Sequence, residues 1–184
     1  EAAGCKVRVL PVVGAGRPLI TKGFLDRAKD HAAKMVAAIK QIDPDGRLPI
    51  VGVEPSEIFT LRDEYADFFP DDAYVQALAK RAWMADEFML RPAADGTSHL
   101  DHLKKNTGVD KGGQKVLLHG QCYQKVQPMA DDALPTGAQA SLAVLKAMGY
   151  EVSMVETGCC GMAGAFGYEA EHYEVSMQLG EMSL

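Results

Sequence analysis

Long apolar runs are missing from this 184-residue chain: none approaches the roughly 20 residues that cross a bilayer as a helix, and no transmembrane segment is expected. The N-terminal stretch also lacks the basic-then-apolar order of a secretory signal. The sequence therefore predicts a cytoplasmic protein, with the inner face of the membrane as its one peripheral location. Positive charge is in deficit, with 19 Lys and Arg against 25 Asp and Glu, and the basic residues are scattered. That balance excludes a nucleic-acid partner, which needs clustered cations facing phosphate. Cysteine is scarce. Four residues, two of them adjacent, do not make a secreted disulfide framework; in a reducing compartment they point to a metal, a cluster or redox chemistry. No Cys-x-x-Cys-x-x-Cys run is present, so a ferredoxin-type site is not encoded here. The chain opens on "EAAGCKVRVL" without an initiating methionine, and is expected to be a fragment.

What is present fits an ordered globular domain: 47% of residues are hydrophobic and 24% charged. Residues 6–10, "KVRVL", alternate like a strand, and "PVVGAGRP" follows as a glycine-bearing turn. Leu25, Ala28, Ala32, Val36 and Ile39 recur at helical spacing. "LPIVGVEPS", residues 48–56, reads as a buried parallel strand, with Ser56 as the N-cap of the next helix. Ile58, Leu61, Tyr65 and Phe68 mark one helix face, and Val75, Leu78, Ala82 and Phe88 another. Punctuation by Gly and Pro then predicts a surface connection over 91–113 with at most a short helix. "KVLLHG" opens a second strand–loop–helix–strand series, with a helix over Ala138–Met148, the strand "EVSMVE" and a closing helix.

The alternation predicts an α/β fold with parallel strands and helices on both faces. A gapless overlay of residues 148–161 on 3–16 aligns Gly149 with Gly4, Val152 with Val7 and Gly161 with Gly16. This suggests two Rossmann-like halves related by internal duplication, 1–90 and 114–184, joined by 91–113. Under that overlay Gly14 and Ala15 stand where the second half has Cys159 and Cys160, and the second half is truncated before its counterpart of "VEPSE".

In "LLHGQCYQK", Cys122 follows a predicted strand, and "VETGCCGMAGAFGYE" places Cys159 and Cys160 after the next. Loops at the carboxyl ends of neighbouring parallel strands converge, so this connectivity is expected to bring the three sulfurs together. Thiolates are soft ligands for iron-sulfur clusters, zinc or copper(I). A helix N-terminus after the loop would favour thiolate, and Gly158, Gly161 and Gly164 would let backbone approach a bulky inorganic core. Adjacent cysteines suit a polynuclear cluster better than one tetrahedral zinc. Three alternatives stay open on residues alone: small buried cysteines packing a tight turn, a thiol-disulfide site pairing Cys122 with Cys159 or Cys160, and a strained bond between neighbours whose α-carbons are only about 3.8 Å apart.

"HGQCYQK" followed, after 36 residues from Cys122 to Cys159, by "TGCCGMAGAFGYEAEHYEVSM" resembles the cysteine-rich CCG domain of the heterodisulfide reductase B subunit and of the iron-sulfur subunits of glycolate oxidase and anaerobic glycerol-3-phosphate dehydrogenase. It is most similar to the C-terminal iron-sulfur region of fused FAD-linked oxidases, and the likeness extends over "GRPLITKGFLDRA" and "GVEPSEIFTLRDEY". The resemblance implies electron transfer: a flavin on a separate domain oxidises a glycolate- or D-lactate-type 2-hydroxy acid, and iron-sulfur centres take the electrons. It implies a 4Fe-4S-type cluster held by Cys122, Cys159 and Cys160 beside Gly161, with an FAD-linked oxidase domain and a ferredoxin-like domain as partners. The alternative is a docking module with a zinc or vestigial cysteine site. No residue of this chain is expected to catalyse the flavin step.

The departures from the family pattern are informative. "VGAGRPL" replaces the family's Cys-Cys-Gly-Arg-Pro, so the first half is expected to hold no cluster. Glu57 stands where many members have Cys, and is read as an exposed helix-start residue rather than a ligand. The second motif's downstream cysteine is absent. Cys5 is taken as structural, His119 as a strand-end residue bonded to backbone, His31 as part of a charged helix face, and His99 and His102 as connector residues rather than zinc ligands. His172 is read with Glu169 and Glu171 as helix-start solvation. Arg17 and Lys22 are candidates to hold an anionic substrate or an inter-domain carboxylate.

Overall fold

The computed structural model describes residues 1–10 and 14–182. The expected turn at "PVVGAGRP" falls partly on residues 11–13, outside the described residues. Helices α1 (Arg17–Thr21) and α2 (Leu25–Ile42) come first, then strand β1 (Ile50–Gly52) and helices α3 (Pro55–Arg62), α4 (Glu64–Phe68) and α5 (Ala73–Ala79). Strand β2 (Ala82–Met84), α6 (Ala85–Met89) and α7 (His99–Thr107) lead to β3 (Lys115–Leu118), α8 (Cys122–Lys125), α9 (Gly137–Ala147) and β4 (Glu151–Met154). Two 3₁₀ turns, Phe166–Tyr168 and Ala170–His172, precede α10 (Tyr173–Glu181). The fold is α/β, and among the described residues β1 pairs parallel with β2 and β3 with β4.

The main core lies in the first half. Ala28, Ala32, Met35, Val36 and Ile39 bury one face of α2, as the periodicity predicts. The last four pack with Ile58, Phe59, Leu61, Tyr65, Val75 and Leu78, side chains whose burial contributes about 1.5–3 kcal/mol each for the larger apolar ones. Pro at the first turn starts α3 and Asp72 caps α5, accepting from the N–H of Tyr74 and Val75 at 2.9 and 3.3 Å. The second half is more lightly buried. Helix α9 packs on β4, whereas Lys115, Leu117, Glu151 and Ser153 lie exposed on the other face of the sheet, Leu117 at 78%, so the expectation of helices on both faces is corrected for this sheet.

Four sequence expectations are corrected. Residues 6–10 form no strand; among the described residues no neighbour supplies a hydrogen-bonding ladder, and Val9 is 86% exposed. Ala82 and Phe88 do not continue the helix of Val75 and Leu78, because Ala82–Met84 pairs with β1 and Phe88 falls on α6. The face from Ile58 to Phe68 is split between α3 and α4 at Asp63. Ser56 is not the N-cap: Glu54 occupies that place and accepts from the Ser56 N–H at 3.2 Å. The connection over 91–113 carries the nine-residue α7, capped by Ser98 and ended by Gly108 in the left-handed region.

The overlay of the halves meets mixed fortune. Gly16 and Gly161 both have positive φ, and each is closely approached by a residue of the following long helix at the same offset, His31 and Ser176. The strand Glu151–Met154 has no counterpart at residues 6–9, where the overlay calls for one.

One buried group couples the halves. Glu87, with a fully buried side chain, accepts from Arg62 Nη1 at 3.3 Å, pairs with Arg62 Nη2, and accepts from the Met84 N–H at 3.0 Å and the Gly137 N–H at 2.8 Å. Gly137 is the first residue of α9, so the carboxylate also meets the positive end of that helix. Glu87→Ala is expected to cost about 3–5 kcal/mol, since it strands the Arg62 guanidinium and two N–H groups, and to lower the urea midpoint.

Asp43 gives a pH signature. Burial works against its charge, but the N–H groups of Arg47 and Leu48 at 3.0 and 3.1 Å and Arg81 at 2.6 Å outweigh burial and hold the carboxyl below its ordinary range. A lowered folded value means that the stabilisation is complete above the unfolded carboxylate range and is lost as pH falls through the folded one. Asp43→Asn should lower stability at pH 7 and flatten the acid limb of a thermal-denaturation series.

Candidate functional site

Strand β3 ends at Leu118, and the chain turns through His119, Gly120 and Gln121 into α8. Gly120 is required there because a Cβ would lie 2.8 Å from that of Ala138. Gln121 caps the turn, accepting from the Tyr123 N–H at 2.7 Å, and so fixes Cys122 as the first residue of α8. Strand β4 ends at Met154; the Val155 N–H still donates to Leu118 at 2.9 Å, and the double-cysteine loop then departs beside the first.

The two loops are tied directly. Lys125 Nζ donates to the Thr157 carbonyl at 2.9 Å and hydroxyl at 2.8 Å, and His119 Nε2 lies 3.3 Å from the same hydroxyl. Cys122, Cys159 and Cys160 are exposed free thiols, and the Gly161 N–H donates to Cys159 Sγ at 3.3 Å. The convergence of the loops follows from the parallel pairing, but convergence of the sulfurs is not reached: among the described residues no group of three or more His, Cys, Asp or Glu is placed to hold a metal ion. The donor chemistry fits a thiophilic group, with three soft ligands accessible on neighbouring loops and an N–H already bonded to sulfur.

Gly161 serves packing as well. Its φ is +80°, a Cβ would lie 2.1 Å from the Ser176 carbonyl, and the buried Ser176 hydroxyl donates to the Gly161 carbonyl at 2.9 Å. The α-helix N-terminus expected directly after the loop lies further on: the two 3₁₀ turns intervene, and α10 starts only at Tyr173. There His172 stacks on Phe166 at 4.0 Å and lies 3.0 Å from Glu169, a carboxyl held low chiefly by Lys22.

The other singled-out residues are placed as follows. Glu57 is half-buried rather than exposed, and its carboxylate accepts from the Ala15 N–H inside the first loop. His31 Nε2 lies 3.0 Å from the Gly14 carbonyl. Cys5 Sγ is 3.3 Å from His99 Nδ1, and His102 faces Asp95 at 3.1 Å. Lys22 pairs with Glu169 across the two halves, while Arg17 pairs with Glu64 within the first and bonds Tyr123 in the second. His119 bonds a side-chain hydroxyl, where backbone was expected. Sequence reasoning missed Lys125, Thr157 and Tyr123; position three after Cys122, in "CYQK", was the available signal for Lys125.

Comparison with known proteins gives weak but extended likeness. The chain is 27% identical over its full length to D-2-hydroxyglutarate dehydrogenase of Escherichia coli K12 and 24% identical over 98% of its length to that of Pseudomonas putida, spanning 16% of each. It is 25% identical over 90% of its length to the C subunit of the anaerobic glycerol-3-phosphate dehydrogenase of Escherichia coli K12, spanning 37% of it. The chain thus corresponds to a minor part of each of these dehydrogenase proteins. No family model matches it, and no solved structure does.

Gly161→Ala and Gly164→Ala separate two roles of these loop glycines. Both have positive φ, so each substitution should cost about 1–2 kcal/mol, but nothing lies within 4 Å of a Cβ at Gly164. Gly161→Ala is expected to lower the urea midpoint clearly further, because the Ser176 carbonyl must move.

Proposed function

We propose that this chain is the electron-transfer portion of an FAD-linked 2-hydroxy-acid oxidoreductase, with Cys122, Cys159 and Cys160 as thiolate ligands of an iron-sulfur cluster of 4Fe-4S type. The observation that carries the reading is the pair of cysteine-bearing loops at the carboxyl ends of β3 and β4, clamped together by Lys125 and Thr157. The likeness to parts of D-2-hydroxyglutarate and glycerol-3-phosphate dehydrogenases supports a redox role, and the first of these supports a D-2-hydroxy acid as the substrate class. On this reading the two halves, 1–90 and 114–184, are copies of one Rossmann-like unit, and only the second holds a cluster. The flavin lies on a separate oxidase domain, a ferredoxin-like domain extends the path, and the assembly works in the cytoplasm or at the inner membrane face.

When bound, the cluster supplies reversible one-electron acceptance. The chain's own residues provide the rest. Cys159 receives an N–H bond from Gly161, which stabilises charge on its sulfur. Lys125 sets a cation at the base of the loop it clamps, favouring negative charge there. Exposure of the thiols leaves the site open to an electron-exchanging partner.

A second reading is favoured by one observation: among the described residues the three thiols are not grouped for a metal. The module would then dock the oxidase domain, its cysteines vestigial or loaded with zinc. Iron, sulfide and zinc analysis of the anaerobically prepared protein, with its electron paramagnetic resonance spectrum, decides between them. Iron and sulfide in cluster proportions, lost in Cys159→Ser, are expected; zinc alone, or no metal, would transfer the assignment to the docking module.

A further inference from the structure

The first loop lacks cysteine, yet it is the more firmly built of the two. Ala15 is 1% exposed; its N–H is taken by Glu57 and its carbonyl by the Tyr65 hydroxyl at 2.9 Å. A Cβ at Gly14 would lie 3.0–3.2 Å from the Glu57 carboxylate, so that carboxylate fills the space in which a side chain at position 14 would stand. His31 closes the other side against the Gly14 carbonyl. Among the described residues, the Gly14–Ala15 part of the loop is filled by the protein's own Glu57 and His31.

What it presents outward are two cations, both directed at the other half. Arg17, at the start of α1, is gripped by Glu64, bonds the Tyr123 hydroxyl and lies with its guanidinium carbon 4.7 Å from the Tyr123 ring centroid. Tyr123 follows Cys122 directly and packs on the core residue Phe59 at 6.4 Å. Lys22, at the end of the same helix, pairs with Glu169 beyond the double cysteine. One short segment therefore touches both sides of the second half's site.

We propose that the cysteine-free first loop is a platform for the second half's site, with Arg17 as a positioning residue that fixes Tyr123, and through it Cys122, and supplies positive charge beside the group those thiols bind. The inference rests on the cluster reading for its electrostatic half only. Arg is suited to the task because its planar fork engages Glu64 and Tyr123 at once, which a single ammonium cannot do with the same geometry. A cation beside a negatively charged redox centre favours the electron-rich state, so its removal lowers the midpoint potential.

The test compares the unchanged protein with Arg17→Gln, Arg17→Lys and Tyr123→Phe. In the metal-free chain, Arg17→Gln is expected to speed amide hydrogen exchange over residues 120–126 by about tenfold or more, the loss of a charge-assisted hydrogen bond. Tyr123→Phe keeps the ring on Phe59 and should show the same loop release. After reconstitution with iron and sulfide, Arg17→Gln should have a more negative midpoint potential at equal iron content, and Arg17→Lys should restore the potential but not the loop protection. Unchanged exchange in both Arg17→Gln and Tyr123→Phe overturns the platform. Iron bound at an unchanged potential in Arg17→Gln overturns the electrostatic role. If the unchanged protein takes up no iron, the cluster reading fails, and hydrogen exchange alone decides the platform.

Discussion

A buried carboxylate, Glu87, determines how the rest of this molecule is joined. Its oxygens take donors from α3, from the last residue of β2 and from the first residue of α9. Around it, Arg62 also donates to the Ala82 carbonyl at 2.7 Å, and Arg91 donates to the Glu87 carbonyl at 2.6 Å while lying 3.7 Å over the Trp83 ring. Such a site is costly to desolvate and tolerates no vacancy, so it specifies one relation between β2, α6 and α9 rather than adding much net stability. Because α9 packs on β4, the strand that leads into the double-cysteine loop, and contacts α8, which begins at Cys122, the placement of those loops depends on a group more than thirty residues away in sequence from either.

The parts of the fold legible in the sequence were those written in local pattern. The 3.6-residue repeat over α2 and the strand–helix–strand order of β3, α9 and β4 each carry their own signal; the β-branched run at 48–56 gave a parallel strand, as expected, but one of three residues, with Val51 and Val53 exposed rather than buried. The errors share one cause: pairing is not local. "KVRVL" alternates as a strand does, but with no pairing strand among the described residues Val7 and Val9 stay in solvent. "AWM" carries no alternation long enough to notice, yet β1 offers it a parallel ladder and it becomes β2. The candidate site divides in the same way. Cysteine spacing located both loops, whereas the Lys125–Thr157 clamp and the Arg17–Tyr123 contact depend on side chains meeting across 32 and 106 positions and could not be read from the pattern.

The two halves divide their labour unevenly, and packing explains the direction. Nearly all of the large buried side chains among the described residues belong to residues 15–84, so the close-packed core lies in that half. The second half has a two-stranded sheet open on one face and a cysteine loop held by a few polar contacts at its ends. Segments that bind ligands come from the less stable end of a structure, because they must move to close on what they hold. Binding at such a loop returns stability to the half that lacks it, since any ligand favouring the folded form shifts the folding equilibrium towards it. On the proposed reading the two loops are complementary: the first, filled by Glu57 and His31, offers the fixed charge of Arg17, and the second, with its exposed thiols, offers the ligands.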